Sequence, residues 1–146
     1  MSLANWAEYG WLKAEPTSTD EIRGLLTIVS RDLKDATVAE VSEDRRFEAA
    51  FNAARTLATV ALRASGYRTS TQAGHHLRTI ESLELTINAD SKLIQRLKTL
   101  SKKRNATSYD LAGNVSEQEL QLAIKTAEDM QRQVLSWLKE KHPDLL

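Results

Sequence analysis

The densest run of groups able to hold an anion is Lys102-Lys103-Arg104-Asn105-Ala106-Thr107-Ser108-Tyr109-Asp110. Arg104 offers a planar bidentate fork, Asn105 a neutral donor, and Thr107, Ser108 and Tyr109 their hydroxyls. Asn105 and Tyr109 are four residues apart and share a helical face, while Arg104, next to Asn105, is long enough to reach the same spot. The same residues also suit a purely structural role, as cations at the negative end of a helix with Tyr109 over the core edge. The histidines are His75, His76 and His142. His142 precedes Pro143 at a helix end and reads as solvated. His75 and His76 are consecutive and on a helix diverge by about 100°. Neither has His, Asp or Glu three or four residues away, so no local metal site is expected, and the Glu-x-x-His pairs of a di-iron bundle are missing.

Charge concentrates around the same segment. The chain of 146 residues is neutral overall, yet residues 1–50 carry a net −4, residues 51–109 a net +7 and residues 110–146 a net −3. The basic third reads either as one half of a dipolar domain, paired internally or across a dimer, or as a local anion-binding surface. With no cysteine, disulfide frameworks, thiolate zinc sites and cysteine nucleophiles are excluded. Glycine-rich phosphate loops, GxSxG and HExxH are missing, and no cofactor is called for. Apolar residues make 41% and charged residues 27%, a globular composition. No apolar run approaches a membrane span and the N-terminus does not read as a signal peptide, so the expectation is a soluble, cytoplasmic protein.

The elements that must position these groups are helices. Residues 1–15 read as an N-terminal arm or short amphipathic helix, Leu3 to Ala14 with Leu3, Trp6 and Trp11, closed by Pro16. Residues 16–146 read as one bundle. Ser18 and Glu21 form a capping box for a helix running to about Ala39. Ser42, Glu43 and Asp44 start a second helix, about Asp44 to Ser65, with an apolar stripe rich in alanine: Ala50, Ala54, Ala58 and Ala61. Small side chains admit close neighbours on more than one side, so this helix is expected at the centre. Gly66 stops it, and Tyr67 to Thr71 reads as a polar link. Leu77, Ile80, Leu83 and Ile87 mark a third helix, broken or kinked at Asn88-Ala89-Asp90. The pattern resumes from Ser91 through Leu93, Leu97 and Leu100. Gly113-Asn114 makes a turn, and Ser116 with Glu119 caps the last helix, which ends at Pro143. No segment alternates with period two over a useful length. The fold class is all-α, an up-and-down four-helix bundle with an additional short N-terminal helix.

Arg104-Asn105-x-x-x-Tyr109 after the third long helix, the Ala-rich second helix ending in Gly66-Tyr67-Arg68, and Gly74-His75-His76 together resemble prokaryotic members of the HEPN family (higher eukaryotes and prokaryotes nucleotide-binding). The resemblance spans roughly Thr19 to Lys141. Many HEPN proteins are metal-independent ribonucleases or toxins with an Arg-x4–6-His motif and a polar residue after the arginine. The resemblance aligns Arg104 with the arginine and Asn105 with the polar residue. Tyr109 stands where the histidine would, and a phenol with a pKa near about 10 is a poor base at neutral pH, although it can donate to a phosphate.

Three functional readings follow. In the first, an HEPN-like module binds RNA, a nucleotide or a partner protein without efficient catalysis: Arg104, Lys102 and Lys103 hold phosphate, and Asn105 and Tyr109, with His75, orient it. In the second, a metal-independent endoribonuclease of toxin type uses Arg104 for the phosphorane charge, His76 or His75 as base, and Tyr109 as a further catalytic group. The third is a structural bundle with no ligand. The family resemblance adds a homodimer, which the surplus apolar residues Trp6, Trp11 and Trp137 could serve, and a nucleotidyltransferase partner.

Overall fold

The computed structural model describes residues 1–71, 74–109 and 114–146, with the backbone alone at 106–109. The expected turn at Gly113-Asn114 and the side chains of Thr107, Ser108 and Tyr109 therefore lie outside the described residues. Helices dominate: α1 (Leu3–Glu8), α2 (Thr19–Asp35), α3 (Glu43–Ala64), α4 (His75–Glu81), α5 (Leu83–Thr86), α6 (Ser91–Tyr109) and α7 (Glu117–Lys141), with two short strands, β1 (Leu12–Ala14) and β2 (Tyr67–Thr69). The architecture is the all-α bundle expected, with α2, α3, α6 and α7 as its long members and α1 as the short N-terminal helix.

The long α3 sits at the centre because it can be buried almost all round. Ala50, Ala53, Ala54, Ala58 and Ala61 are sealed from solvent, so α2 approaches one side of α3 and α7 another, and α6 closes a third. Phe47, Phe51, Leu57 and Val60 fill the gaps between those small residues. From α7, Leu120, Ala127, Met130, Val134 and Leu138 face the same core.

The helix ends show what the local sequence encodes. Ser116 and Glu119 form the reciprocal capping box expected of them. At α2 only half of the expected box forms: Ser18 Oγ accepts from Glu21 N at 3.1 Å, but the Glu21 carboxylate turns to Arg63 and Thr17. α2 also stops at Asp35 rather than near Ala39, because the buried Ala36 caps it and the chain turns tightly through Thr37 and Val38. The expected third helix is two short pieces, α4 and α5, divided at Ser82, whose buried hydroxyl donates to Thr79 O at 2.7 Å. The break at Asn88-Ala89-Asp90 is present. Asn88 takes φ +57, and Asp90 Oδ1 accepts from Leu93 N at 2.8 Å.

The arm departs from its expected form. α1 ends at Glu8, Gly10 turns the chain at φ +79, and Leu12–Ala14 pairs antiparallel with Tyr67–Thr69, Leu12 opposite Thr69 and Ala14 opposite Tyr67. The presumed polar link after Gly66 is thus a strand. Three-residue strands are too short to show alternation, and each acquires its partner only through the fold. Trp6 and Leu12 pack on Leu62 of α3 as a second small core, with Trp11 edge-on to Trp6 at 5.6 Å. The guanidinium of Arg78 lies 3.9 Å over the Trp11 ring.

Arg63 fastens this assembly. Nearly buried at the end of α3, it donates through Nε to Glu21 Oε1 (3.0 Å), through Nη1 to the carbonyls of Glu15 (3.0 Å) and Tyr67 (3.1 Å), and through Nη2 to Pro16 O (2.9 Å). One fork thereby joins the arm, α2, α3 and β2. The Thr17 hydroxyl first, and then Arg63, hold the Glu21 carboxyl below its usual range. A depressed carboxyl stabilises the fold above its ordinary pKa, and that contribution is lost as pH falls through the lowered value.

Leu57→Ala or Phe51→Ala should destabilise the protein by about 2–5 kcal/mol in chemical denaturation, since both side chains are enclosed; a silent substitution at either position would contradict the central placement of α3. Arg63→Met leaves buried carbonyls without donors and should lower stability by about 2–3 kcal/mol. Hydrogen exchange should then show the β1–β2 amides losing protection before those of α3 and α7.

Candidate phosphate-binding site

The inner face of α6 is read off its stripe. Leu93, Leu97 and Leu100 are buried, and the next position in the four-three-four rhythm is Arg104, half-buried at the end of the bundle. Arg104 therefore points inward, at α2 and α3, where it meets Asp32, Arg45 and Asn52 at a groove of about 570 Å³. Asn105, one position on, is turned by about 100° and lines a different cleft of about 500 Å³ with Gly74, His76, Lys98, Thr99 and Lys102. The expectation that Arg104 and Asn105 share one groove is thus corrected: consecutive residues of a helix face different walls. The Tyr109 side chain, the third expected member, lies outside the described residues.

A residue missed in the sequence stands beside Arg104. Arg55 of α3 is half-buried and donates to Asn52 Oδ1 at 2.8 Å, and Asn52 Nδ2 in turn donates to the buried Asp32. Arg55 and Arg104 lie close enough that the charge of Arg104, after burial, lowers the proton affinity of the Arg55 guanidinium. Neither arginine forms a salt bridge with a carboxylate among the described residues. Two like charges held side by side in a partly desolvated place are unfavourable until an anion arrives. The readable signal was Asn52 and Arg55, polar residues three apart inside an otherwise alanine-rich stretch.

His76, at the start of α4, faces this pair. Although exposed, its imidazole is held below the usual histidine range, first by partial desolvation and then by the charges of Arg55, His75 and Arg104. It also lines the Asn105 cleft. The rings of His75 and His76 do not diverge as expected. Their centroids are 3.9 Å apart, because the first turn of α4 has no preceding turn to constrain its side chains. His142 also departs from its expected solvated position, being half-buried with its ring edge-on to Trp137 at 4.8 Å.

The lysines divide. Lys102 is exposed and lines the Asn105 cleft. Lys103 pairs with Glu119 Oε2 at 3.1 Å and straps α6 to the start of α7. Lys98, not singled out in the sequence, lines the cleft while paired with Glu81 at 3.1 Å. Arg55 and Arg104 thus supply two forks on one side, and His76, Asn105 and Lys102 a titratable group, an amide and a cation along the neighbouring cleft, donors of the kind that phosphates take. Among the described residues no group of three or more His, Asp or Glu is placed to hold a metal ion, and no helix is long and apolar enough to cross a membrane. Comparison of the chain with protein-family models, with curated proteins and with solved structures gives no match.

The sign of the His76 shift fixes a pH prediction. A histidine held neutral in the folded state leaves stability undiminished above about pH 6.5, and stability falls as pH drops from there through the lowered folded pKa. Arg55→Gln removes the largest neighbouring charge, so the NMR titration of His76 should move up toward the ordinary value and the acid-side loss of stability should shrink. An unchanged titration would separate Arg55 from His76.

Proposed function

We propose that the protein is an HEPN-like module that binds the phosphates of RNA or of a nucleotide without efficient cleavage. The observation that carries this reading is the meeting of Arg55, His76 and Arg104 from three helices, with both guanidiniums half-buried and free of salt bridges among the described residues. Phosphate oxygens complete such a set, replace the repulsion with charge-assisted hydrogen bonds, and draw on the local excess of positive charge in residues 51–109. Asn105 and Lys102 extend the donor surface along the outer side of α6. The wider reading includes the cytoplasm as location, from the lack of a long apolar run, and, from the resemblance, a homodimer that brings two such sites together and a nucleotidyltransferase as partner.

One observation favours the alternative, a metal-independent endoribonuclease of toxin type. A general base must be unprotonated at working pH, and His76 is held toward that state beside two arginines able to stabilise a phosphorane.

Arg104→Ala should weaken RNA binding about tenfold, the loss of one charge-assisted pair, and affinity of the native protein should fall steeply with added salt. Filter binding with a short single-stranded RNA measures both. Incubation of the same RNA with chelator present decides the chemistry. Intact RNA supports the binding module, whereas cleavage that disappears in His76→Ala establishes the ribonuclease. Unaltered affinity in Arg104→Ala would refute the site.

A further inference from the structure

Three polar side chains in the seam between α2 and α3 form an ordered chain. Asp32 of α2 is buried. Its Oδ1 accepts from Arg31 Nε at 3.1 Å, and its Oδ2 accepts from Asn52 Nδ2. At the other end of the same amide, Asn52 Oδ1 accepts from Arg55 Nη2 at 2.8 Å. A carboxylate and a guanidinium are thus joined through a neutral amide instead of meeting directly. An ionised carboxylate only accepts hydrogen bonds and a guanidinium only donates them. The amide between them therefore has one orientation, nitrogen toward Asp32 and oxygen toward Arg55.

This arrangement acts on Arg55 in two ways. It fixes a long side chain in advance, which spares an incoming ligand the cost of ordering it. It also leaves the charge in place, since among the described residues Arg55 forms no salt bridge. A direct pair with Asp32 would hold the guanidinium too, but an arriving anion would then compete with a carboxylate for the same donors. We propose that Asp32 and Asn52 are positioning residues for Arg55, holding its guanidinium beside Arg104 without neutralising it, so that it stays open to an anion. The anion rests on the phosphate-binding reading; the positioning rests on the hydrogen bonds alone.

Two variants of the whole chain test this, with His76 as reporter. Asn52→Leu is close in size and removes both ends of the bridge. The exchange Asp32→Asn/Asn52→Asp keeps the donors, the acceptors and the net charge, but brings the carboxylate against Arg55. Partial desolvation and then the charge of Arg55 hold His76 below its ordinary range. NMR titration of His76 at low salt should therefore move up in both variants, as in Arg55→Gln. Filter binding of the short single-stranded RNA should weaken about tenfold in both, and the exchange should keep the urea midpoint of the native protein. An unmoved His76 titration would overturn the positioning role, and with a lowered urea midpoint it would make the pair a fastening of α2 to α3. A titration that moves while RNA affinity holds would keep the positioning and take the anion away from Arg55. No RNA binding by the native protein would overturn the phosphate reading, with the positioning still decided by His76. Should Asn52→Leu fail to fold, the exchange variant supplies the same readings.

Discussion

Everything in this protein is arranged around one steric constraint: a 22-residue helix, α3, buried on most of its circumference. A helix so enclosed cannot carry large side chains on every face, since neighbouring axes must come close. Alanine at positions 50, 53, 54, 58 and 61 resolves this, and it lets α2 and α7 pack on α3 at once. Polar residues can leave such a helix only where packing stops. Beyond its first turns, two sets of them make defined contacts: Asn52 with Arg55, bonded to each other and to Asp32 of α2, and Arg63 at the C-terminal end.

The two arginines show opposite solutions to burying a guanidinium. Arg63 is almost fully enclosed, and its fork is met by three carbonyls and the Glu21 carboxylate. A buried cation with so complete a set of acceptors is structural, and it fastens an arm that has little core of its own. Arg55 is only half-buried, bonded to a neutral amide and placed against the charge of Arg104. Its surroundings lower its proton affinity instead of stabilising the cation. That contrast within one helix separates a residue that holds the fold from residues available to an incoming anion.

The proposed site inherits its shape from helix geometry. Arg104 continues the apolar stripe of α6 and so enters the seam between α2 and α3, while Asn105 and Lys102 remain on the outer side. The chain therefore offers two clefts, with His76 on the one that Asn105 lines. Lys103, by pairing with Glu119, ties the end of α6 to the capping box of α7 and steadies the segment that carries Arg104.

Local pattern alone determined the long helices α3 and α7, the start of α2, the alanine face, the break before α6 and the caps at Ser18, Ser42 and Ser116, because periodicity and capping involve residues within a few positions of one another; the end of α2 at Asp35 and the division of α4 from α5 at Ser82 it did not contain. It also picked out Arg104, Asn105 and His76 as chemistry-bearing. Tertiary structure alone decided that Leu12–Ala14 pairs with Tyr67–Thr69, that Glu21 serves Arg63 rather than its own helix end, and that Arg55 stands against Arg104. It also sent Arg104 and Asn105 to different clefts. Those outcomes join residues tens of positions apart, and they depend on the angle and register at which helices pack, which no short window of sequence contains.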